Sequence, residues 1–283
     1  MINTLYAVLS LGILGAIFAA VLAYASQKFA VEVDEKEELI AEILPKANCG
    51  GCGYAGCAAY AAAVSSGEAE GNLCLPGGDE TAEKIAEIMG TVHEELERFI
   101  AKVNCVGENG KMKKNFEYCG VETCVAAMRL GAGSGANACQ YGCLGFGDCV
   151  AVCAFDAIRV KNGVAYVNPK KCTGCLACIA ACPKGIISKL PYGADVTVPC
   201  GSKDRGAETR KNCSTGCIAC KICEKTCEYG AITVIDNLAV IDYTKCTSCS
   251  ECTIKCPTGV IRDPREEVLM KRPPAKKASL SSN

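Results

Sequence analysis

The chain has 283 residues, 25 of them cysteine, with one histidine, no tryptophan and a formal net charge of -1. Such a cysteine content excludes an ordinary cytosolic enzyme built on one apolar core, and the near-neutral total gives no global argument for nucleic acid. Aromatic residues make up only 6% of the chain, so metal–thiolate bonds, which supply folding energy directly, are expected to take over much of the holding.

Residues 1–27 carry no charged side chain. From Leu5 to Ala25 the run is apolar or small apart from Tyr6, Ser10 and Tyr24. That exceeds the ~20 residues a helix needs to cross a bilayer, and a transmembrane anchor over 1–27 is the expectation. Gly12, Gly15 and Ala16 would share one side of it and allow close helix packing. The competing reading is a cleaved signal peptide, because Ala23-Tyr24-Ala25 mimics a cleavage site. Against it, no Lys or Arg precedes the run, and the run is long for a signal core of ~7–15 residues. Lys28, Lys36 and Lys46 follow, so the positive-inside rule places the rest on the cytoplasmic side of a single-pass inner-membrane protein. Thiols there are kept reduced, which argues against disulfides.

Residues 28–92 are expected to form a small helical domain. Its centre is Cys49-Gly-Gly-Cys52-Gly-Tyr-Ala-Gly-Cys57, followed by Cys74-Leu-Pro-Gly-Gly. The glycines allow a backbone tight enough to wrap a cluster and aim N–H groups at its sulfides. Cys49, Cys52, Cys57 and Cys74 are therefore read as ligands of one [4Fe–4S] cluster. Ala58 to Val64 should be helical, and Lys36 to Leu44 and Thr81 to Met89 should be amphipathic flanks. A zinc knuckle is the plainer alternative, but the spacing suits it poorly. The lone His93 precedes Glu94-Glu95 and reads as a surface residue of an acidic helix.

The segment 93–138 reads as a connection, and two ferredoxin-like modules follow, over 139–192 and, with a connector, 193–270. Cys172, Cys175, Cys178, Cys182-Pro183 and Cys246, Cys249, Cys252, Cys256-Pro257 both read C-x2-C-x2-C-x3-C-P. This is the bacterial two-cluster ferredoxin run, in which three thiolates wrap one cube and the fourth ligates another. Partner cysteines lie upstream of each run, and the modules align at an offset of 74 residues, an internal repeat. Ile158 to Val167 and Ile232 to Ile241 should be short hairpins, with Asn162-Gly163 as one turn. Four zinc-like thiolates within eleven residues, twice over, would be unusual, because zinc favours separated C-x2-C pairs.

The first module departs from the pattern, because Phe146 stands where the second has Cys220. Cys139 can supply the missing thiolate, and its aligned counterpart Cys213 is a rival ligand in the second module. The expected sets are Cys139, Cys143, Cys149, Cys182; then Cys153, Cys172, Cys175, Cys178; then Cys217, Cys220, Cys223, Cys256; and Cys227, Cys246, Cys249, Cys252. Five cysteines remain, and Cys105, Cys124, Cys200 and Cys213 are expected to hold a sixth cluster, with Cys119 spare. The alternative is that these are unligated thiols.

The neutral total hides asymmetry. Residues 31–100 hold 15 acids and 4 bases; residues 159–211 hold 10 bases and 3 acids. Lys161, Lys170, Lys171, Lys184 and Lys189 are expected to form a docking face for an acidic donor, although a solvated surface is the plainer reading. The tail 271–283, rich in Pro, Lys and Ser, should be disordered.

Together, the anchor, the C-G-G-C-G-Y-A-G-C motif, Gln140-Tyr-Gly-Cys-Leu-Gly-Phe-Gly-Asp-Cys149 and the tandem ferredoxin runs closely resemble the B subunits of Rnf complexes, up to about Ile261. The resemblance implies an α+β protein with an N-terminal transmembrane helix, a small helical [4Fe–4S] domain and tandem ferredoxin-like modules. It implies an electron-transfer subunit of an ion-translocating ferredoxin:NAD+ oxidoreductase. Soluble ferredoxin would be the donor, other Rnf subunits and the lipid bilayer the surroundings, and Na+ or H+ the translocated ion. No residue is expected to act as acid or base, and no G-x-G-x-x-G follows a strand, so NAD+ would belong to a partner. A polyferredoxin subunit of another membrane hydrogenase or dehydrogenase is the second reading; the Cys49 motif separates the two.

Overall fold

The computed structural model describes residues 2–28, 34–93 and 97–265. The expected disordered tail 271–283 lies outside them. Helix α1 runs Ile2–Lys28, and Leu9, Leu11, Ile13, Leu14, Ile17, Phe18, Val21 and Leu22 stand exposed on it. Its side chains are described only in part, so the expected span from Leu5 to Ala25 lies partly outside the described residues. Among the described residues no helix is long and apolar enough to cross a membrane.

Three helices make the next unit: α2 (Glu35–Ile43), α3 (Cys57–Ser65) and α4 (Gly78–Met89). Asp34 caps α2 by accepting from the Lys36 N–H at 3.0 Å, and Glu35, Glu37 and Glu38 complement the positive helix start. The three pack through Ile40, Leu44, Tyr60, Val64 and Ile85, all buried. Helix α4 stops at Gly90, whose φ of 69° ends it in the left-handed region. His93 lies beyond that end, 3.7 Å from Asp79, and not within a helix.

The remainder is two copies of one antiparallel unit. In the first, β1 (Phe99–Val103) pairs with β4 (Ile187–Pro191), placing Ile100 opposite Leu190 and Val103 opposite Ile187. Between them come α5 (Cys124–Met128), α6 (Asp148–Ala151), the hairpin β2 (Ile158–Lys161) and β3 (Val164–Val167), and α7 (Ala177–Ala181). The expected turn is present: Asn162 and Gly163 both have positive φ, 50° and 76°. The second unit holds α8 (Gly206–Asn212), α9 (Ile222–Thr226), the hairpin β5 (Ile232–Ile235) and β6 (Leu238–Ile241), and α10 (Glu251–Lys255). There the opening strand shrinks to a single bridge, Thr197 to Arg262.

These pairings extend the repeat. Arg262 lies 74 residues after Ser188, but its partner Thr197 lies 95 after Lys102, which pairs with Ser188. The first unit therefore carries 21 more residues between its opening strand and Cys143. The segment 93–138 is thus no mere connection, since it contributes β1 and this insertion. The two units also interlock. Val106 is buried in the second unit's core, and Tyr243 packs against the first unit's. Tyr166 on β3 hydrogen-bonds Glu108 and also meets Arg262 of the second unit.

Candidate metal centres

The cysteines sit on tight loops that open short helices. In C-x2-C-x2-C the residue before α7, α9 or α10 adopts left-handed backbone: Leu176 at φ 64°, Lys221 at 59° and Ser250 at 65°. A side-chain-bearing residue pays roughly 1–2 kcal/mol there, so packing must hold it. The turn swings the third thiol of each run back toward the first two.

Cys49, Cys52, Cys57 and Cys74 line one cavity together with Gly50, Gly56 and Tyr60. Asn48 accepts from the Cys57 N–H at 2.8 Å, fixing the start of α3. Tyr60, with its ring buried, donates to the Glu70 carbonyl at 2.8 Å and accepts from the Leu73 N–H at 3.1 Å, which holds the strand of chain that delivers Cys74. Burial pushes the Cys74 thiol up to about 11, and the nearby thiols of Cys57, Cys52 and Cys49 add to the shift.

Cys217, Cys220, Cys223 and Cys256 line a second cavity with Ile218, Val234 and Ile261. Cys172, Cys175 and Cys153 surround the Cys178 thiol, which burial and then these neighbours raise to about 11. Cys249, Cys246 and Cys227 likewise lie around Cys252, pushed by burial to about 12. Matching donors mark the repeat: Ala157 donates to the Cys153 sulfur and Ala231 to the Cys227 sulfur, each at 3.4 Å. The three groupings contain the same cysteines as the sets drawn from spacing.

One grouping differs. The cavity expected to hold Cys139, Cys143, Cys149 and Cys182 is lined by Cys124, Cys143, Cys149 and Cys182, with Val103, Leu144 and Ile187. Cys139 lies instead beside Cys200 and Cys213. The expected places of Cys124 and Cys139 are therefore exchanged, both in this set and in the expected sixth set. The cause is a carboxylate. Asp148 accepts from the N–H groups of Cys124 at 2.9 Å and Val125 at 3.1 Å, while Thr123 caps the same turn. Tyr118 packs against Phe146 at 5.1 Å between centroids with the rings tilted by 59°, so the residue that replaces a cysteine also anchors the insertion. The signal was present in part: three cysteines outside the regular runs, Cys105, Cys119 and Cys124, lie in the segment preceding the module that lacks one thiolate. Cys119 is exposed and joins no set.

The basic face is also smaller than expected. Lys184 turns inward and donates to the carbonyls of Gly133, at 2.7 Å, and Gln140. Burial lowers its pKa. Lys171 is paired with Asp156 at 2.7 Å.

The three cavities enclose between about 310 and 380 Å³, open mouths included, and their walls are almost wholly apolar beside the sulfurs. Among the described residues no three His, Cys, Asp or Glu side chains are grouped as a single ion would hold them. Four soft thiolates around an apolar space, with N–H groups aimed at sulfur, fit an iron–sulfur cube.

Neighbouring sets adjoin. Cys49 lies beside Cys175, and a β-carbon on Gly51 would stand 2.7 Å from the Cys175 carbonyl oxygen. Cys178 neighbours Cys149 within the first unit, and Cys223 neighbours Cys252 within the second.

Known families agree with this layout. Residues 44–76 match a family described as "Putative Fe-S cluster", and residues 138–186 and 216–270 each match a 4Fe-4S dicluster domain. The chain is 46% identical to the B subunit of the proton-translocating ferredoxin:NAD(+) oxidoreductase complex of Clostridium ljungdahlii, covering 88% of this chain and 89% of that one. It is 43% identical to the B subunit of the Na(+)-translocating ferredoxin:NAD(+) oxidoreductase complex of Acetobacterium woodii, over 89% and 75% of the two chains. With the B subunit of the ion-translocating oxidoreductase complex of Methanosarcina acetivorans, identity is 40% over 88% and 94%. The ordered thiol sets, the ferredoxin-like units and this breadth of identity place the chain in the family of B subunits of ion-translocating ferredoxin:NAD+ oxidoreductase (Rnf) complexes.

Proposed function

We infer that this chain is the electron-relay subunit of a membrane-bound Rnf complex, taking electrons from reduced ferredoxin on the cytoplasmic side and delivering them toward membrane partners. The complex would couple that transfer to NAD+ reduction and to Na+ or H+ translocation. The observation that carries the reading is the adjacency of the thiol sets, from Cys252 through Cys223 at one end to Cys175 and Cys49 at the other. When bound, [4Fe–4S] clusters supply one-electron transfer at positions the thiolates fix.

Exposure supports a direction for the relay. Cys220 and Cys249 are both exposed on the second unit, and that unit is the proposed donor-facing end. The Cys49 loop covers the opposite end, on the domain that follows α1. Helix α1, with its exposed apolar side chains, is the proposed single-pass anchor of the inner membrane. The ligands are Cys49, Cys52, Cys57 and Cys74; Cys153, Cys172, Cys175 and Cys178; Cys124, Cys143, Cys149 and Cys182; Cys217, Cys220, Cys223 and Cys256; and Cys227, Cys246, Cys249 and Cys252. Between them the backbone donors at Ala101, Ala157 and Ala231 hold Cys172, Cys153 and Cys227 in place.

Anaerobic EPR-monitored redox titration of the detergent-purified chain tests the relay. A brown protein bleached by dithionite, with several overlapping signals, is the expected result; a colourless protein would overturn it. Cys52→Ala should stop delivery to the membrane partners while ferredoxin still reduces the remaining centres. If those centres stayed oxidised, the direction would be wrong. Removal of residues 1–27 should release the chain from membranes, and a chain that stays bound would refute the anchor.

A further inference from the structure

The loop carrying Cys49 and Cys52 meets the loop carrying Cys172 and Cys175, and a glycine marks the meeting. A β-carbon on Gly51 would stand 2.7 Å from the Cys175 carbonyl oxygen and 3.3 Å from its carbonyl carbon and Cα. The obstacle is backbone, so no side-chain rotation relieves it. Conformation gives no reason for glycine at this place. Gly50 and Gly53 of the same loop have φ of 69° and 90°, the left-handed region that favours glycine, and Gly51 lies outside that region. Gly51 is glycine because of its neighbour and not because of its own backbone angle.

The receiving loop is held firmly. A β-carbon on Gly174 would collide with the Phe99 carbonyl oxygen, and the Ala101 N–H donates to the Cys172 sulfur at 3.4 Å. Both contacts come from β1, which is fixed in turn by its pairing with β4. The Cys172 loop therefore cannot recede from Gly51 without disturbing a sheet. The sulfurs follow the backbone. Burial raises the pKa of the Cys175 thiol, and Cys49 adds more to the shift than Cys153 and Cys172, which belong to the same set as Cys175.

The second unit supplies the contrast. Cys249, the counterpart of Cys175 at the offset of 74, is exposed, whereas Cys175 is half-buried. Ser248, at φ 55°, stands where the first unit has Gly174, and there the opening strand is a single bridge. Close backbone packing on the cysteine loop thus belongs to the first unit, on the side that meets the Cys49 domain.

We propose that Gly51 is a positioning residue for electron transfer: its missing side chain sets the approach of the Cys49 set to the Cys175 set, and with it the rate of delivery to the Cys49 centre. The step is one electron from the reduced centre at Cys175 to the oxidised centre at Cys49, with no bond made or broken and reduced ferredoxin as the source. Tunnelling falls off exponentially with separation, so a spacing enforced by one absent β-carbon acts on the rate directly. An alanine at 51 must part the loops until 2.7 Å becomes at least 3.4 Å, the near edge of ordinary contact. The proposal rests on the relay reading above, and the two fail differently.

The test follows reduction of the anaerobically prepared full chain by reduced ferredoxin, by stopped-flow absorbance and freeze-quench EPR. The phase belonging to the Cys49 centre is the one that vanishes in Cys52→Ala. That phase should slow several-fold in Gly51→Leu and by less in Gly51→Ala, with iron content, earlier phases and the midpoint potential of the Cys49 centre as in wild type. Gly67→Ala strains the same domain, at φ 78° with nothing within 4 Å, and should leave the phase at the wild-type rate. Should Gly51→Leu fail to fold, Gly51→Ala gives the same sign at smaller size. An unchanged rate in the Gly51 variants would overturn the proposal and leave the relay standing. Equal slowing in Gly67→Ala, or slowing that comes with a shifted potential, would overturn it equally. If no phase vanishes in Cys52→Ala, the relay reading itself fails and the proposal falls with it.

Discussion

The two ferredoxin-like units share strands, hairpins and cysteine runs, yet they complete one equivalent thiol set by different means. The second unit uses Cys220, three residues from its neighbours on either side in sequence. The first has Phe146 at that place and draws Cys124 in from the 21-residue insertion. The comparison teaches that the fold specifies a position in space for a thiolate and not the segment that supplies it. A local loop fills the position with a short turn. A remote one needs its own cap, its own aromatic pair and a carboxylate to hold it.

The largest test of that comparison removes the remote thiolate. Cys124→Ala should lower iron by about four per chain, whereas the exposed Cys119→Ala should lower it by none; equal counts in both variants would put Cys124 outside the set. Next, Phe146→Cys in the Cys124→Ala background gives the first unit the second unit's solution. Recovery of the lost iron is expected, and no recovery would mean that the two loops differ in shape as well as in residue.

The two units also hold their loops with different carboxylates. In the second, Asp263 is 1% exposed, accepts from Arg265 Nε at 3.0 Å and from the Ser250 hydroxyl, and so pins the loop between Cys249 and Cys252. Burial opposes its ionisation, but the hydrogen bonds from Arg265 and Ser250 hold its pKa below the usual range. That support is present above the ordinary aspartate pKa and is lost as pH falls through the lowered value. Asp263→Asn should cost about 2 kcal/mol or more, because a charge-assisted buried network is broken, and thermal unfolding at neutral pH would show it. The same substitution compared with wild type at acid pH should show a smaller gap; a constant gap would refute the ionic contribution. Asp148→Asn in the first unit should cost about 1 kcal/mol, since one acceptor oxygen remains for the cap. The smallest effect belongs to Tyr118→Leu, about 0.5–1 kcal/mol from the lost ring pair with Phe146, readable as a lower midpoint in the same unfolding scans.

How far the site was legible follows the same division. The C-x2-C-x2-C-x3-C-P runs and C-G-G-C-G-Y-A-G-C announce which thiols the structure groups, because spacing alone dictates a local loop. The Asn162-Gly163 turn was legible for the same reason, while its counterpart Asp236-Asn237, with φ of 48° and 62°, carries no glycine to announce it. Strand β1 was hidden, because Phe-Ile-Ala-Lys-Val lacks a clear alternation and finds its partner more than 80 residues later. Cys124 was hidden because its place depends on Asp148, 24 residues away, and no periodicity encodes that contact. Lys184 read as surface from its charge, and two backbone carbonyls turned it inward.

The interlocked cores carry a practical consequence for dissecting the protein. A fragment boundary drawn where the cysteine repeat suggests one, at residues 192 and 193, would take Val106 out of the second unit's core and Tyr243 away from the first's. Each half would then expose an apolar hole, and the hydrogen bond between Tyr166 and Arg262 would be lost. The repeat is thus not a unit of folding: a piece that keeps both cores whole must run from Ile100 to Ile261.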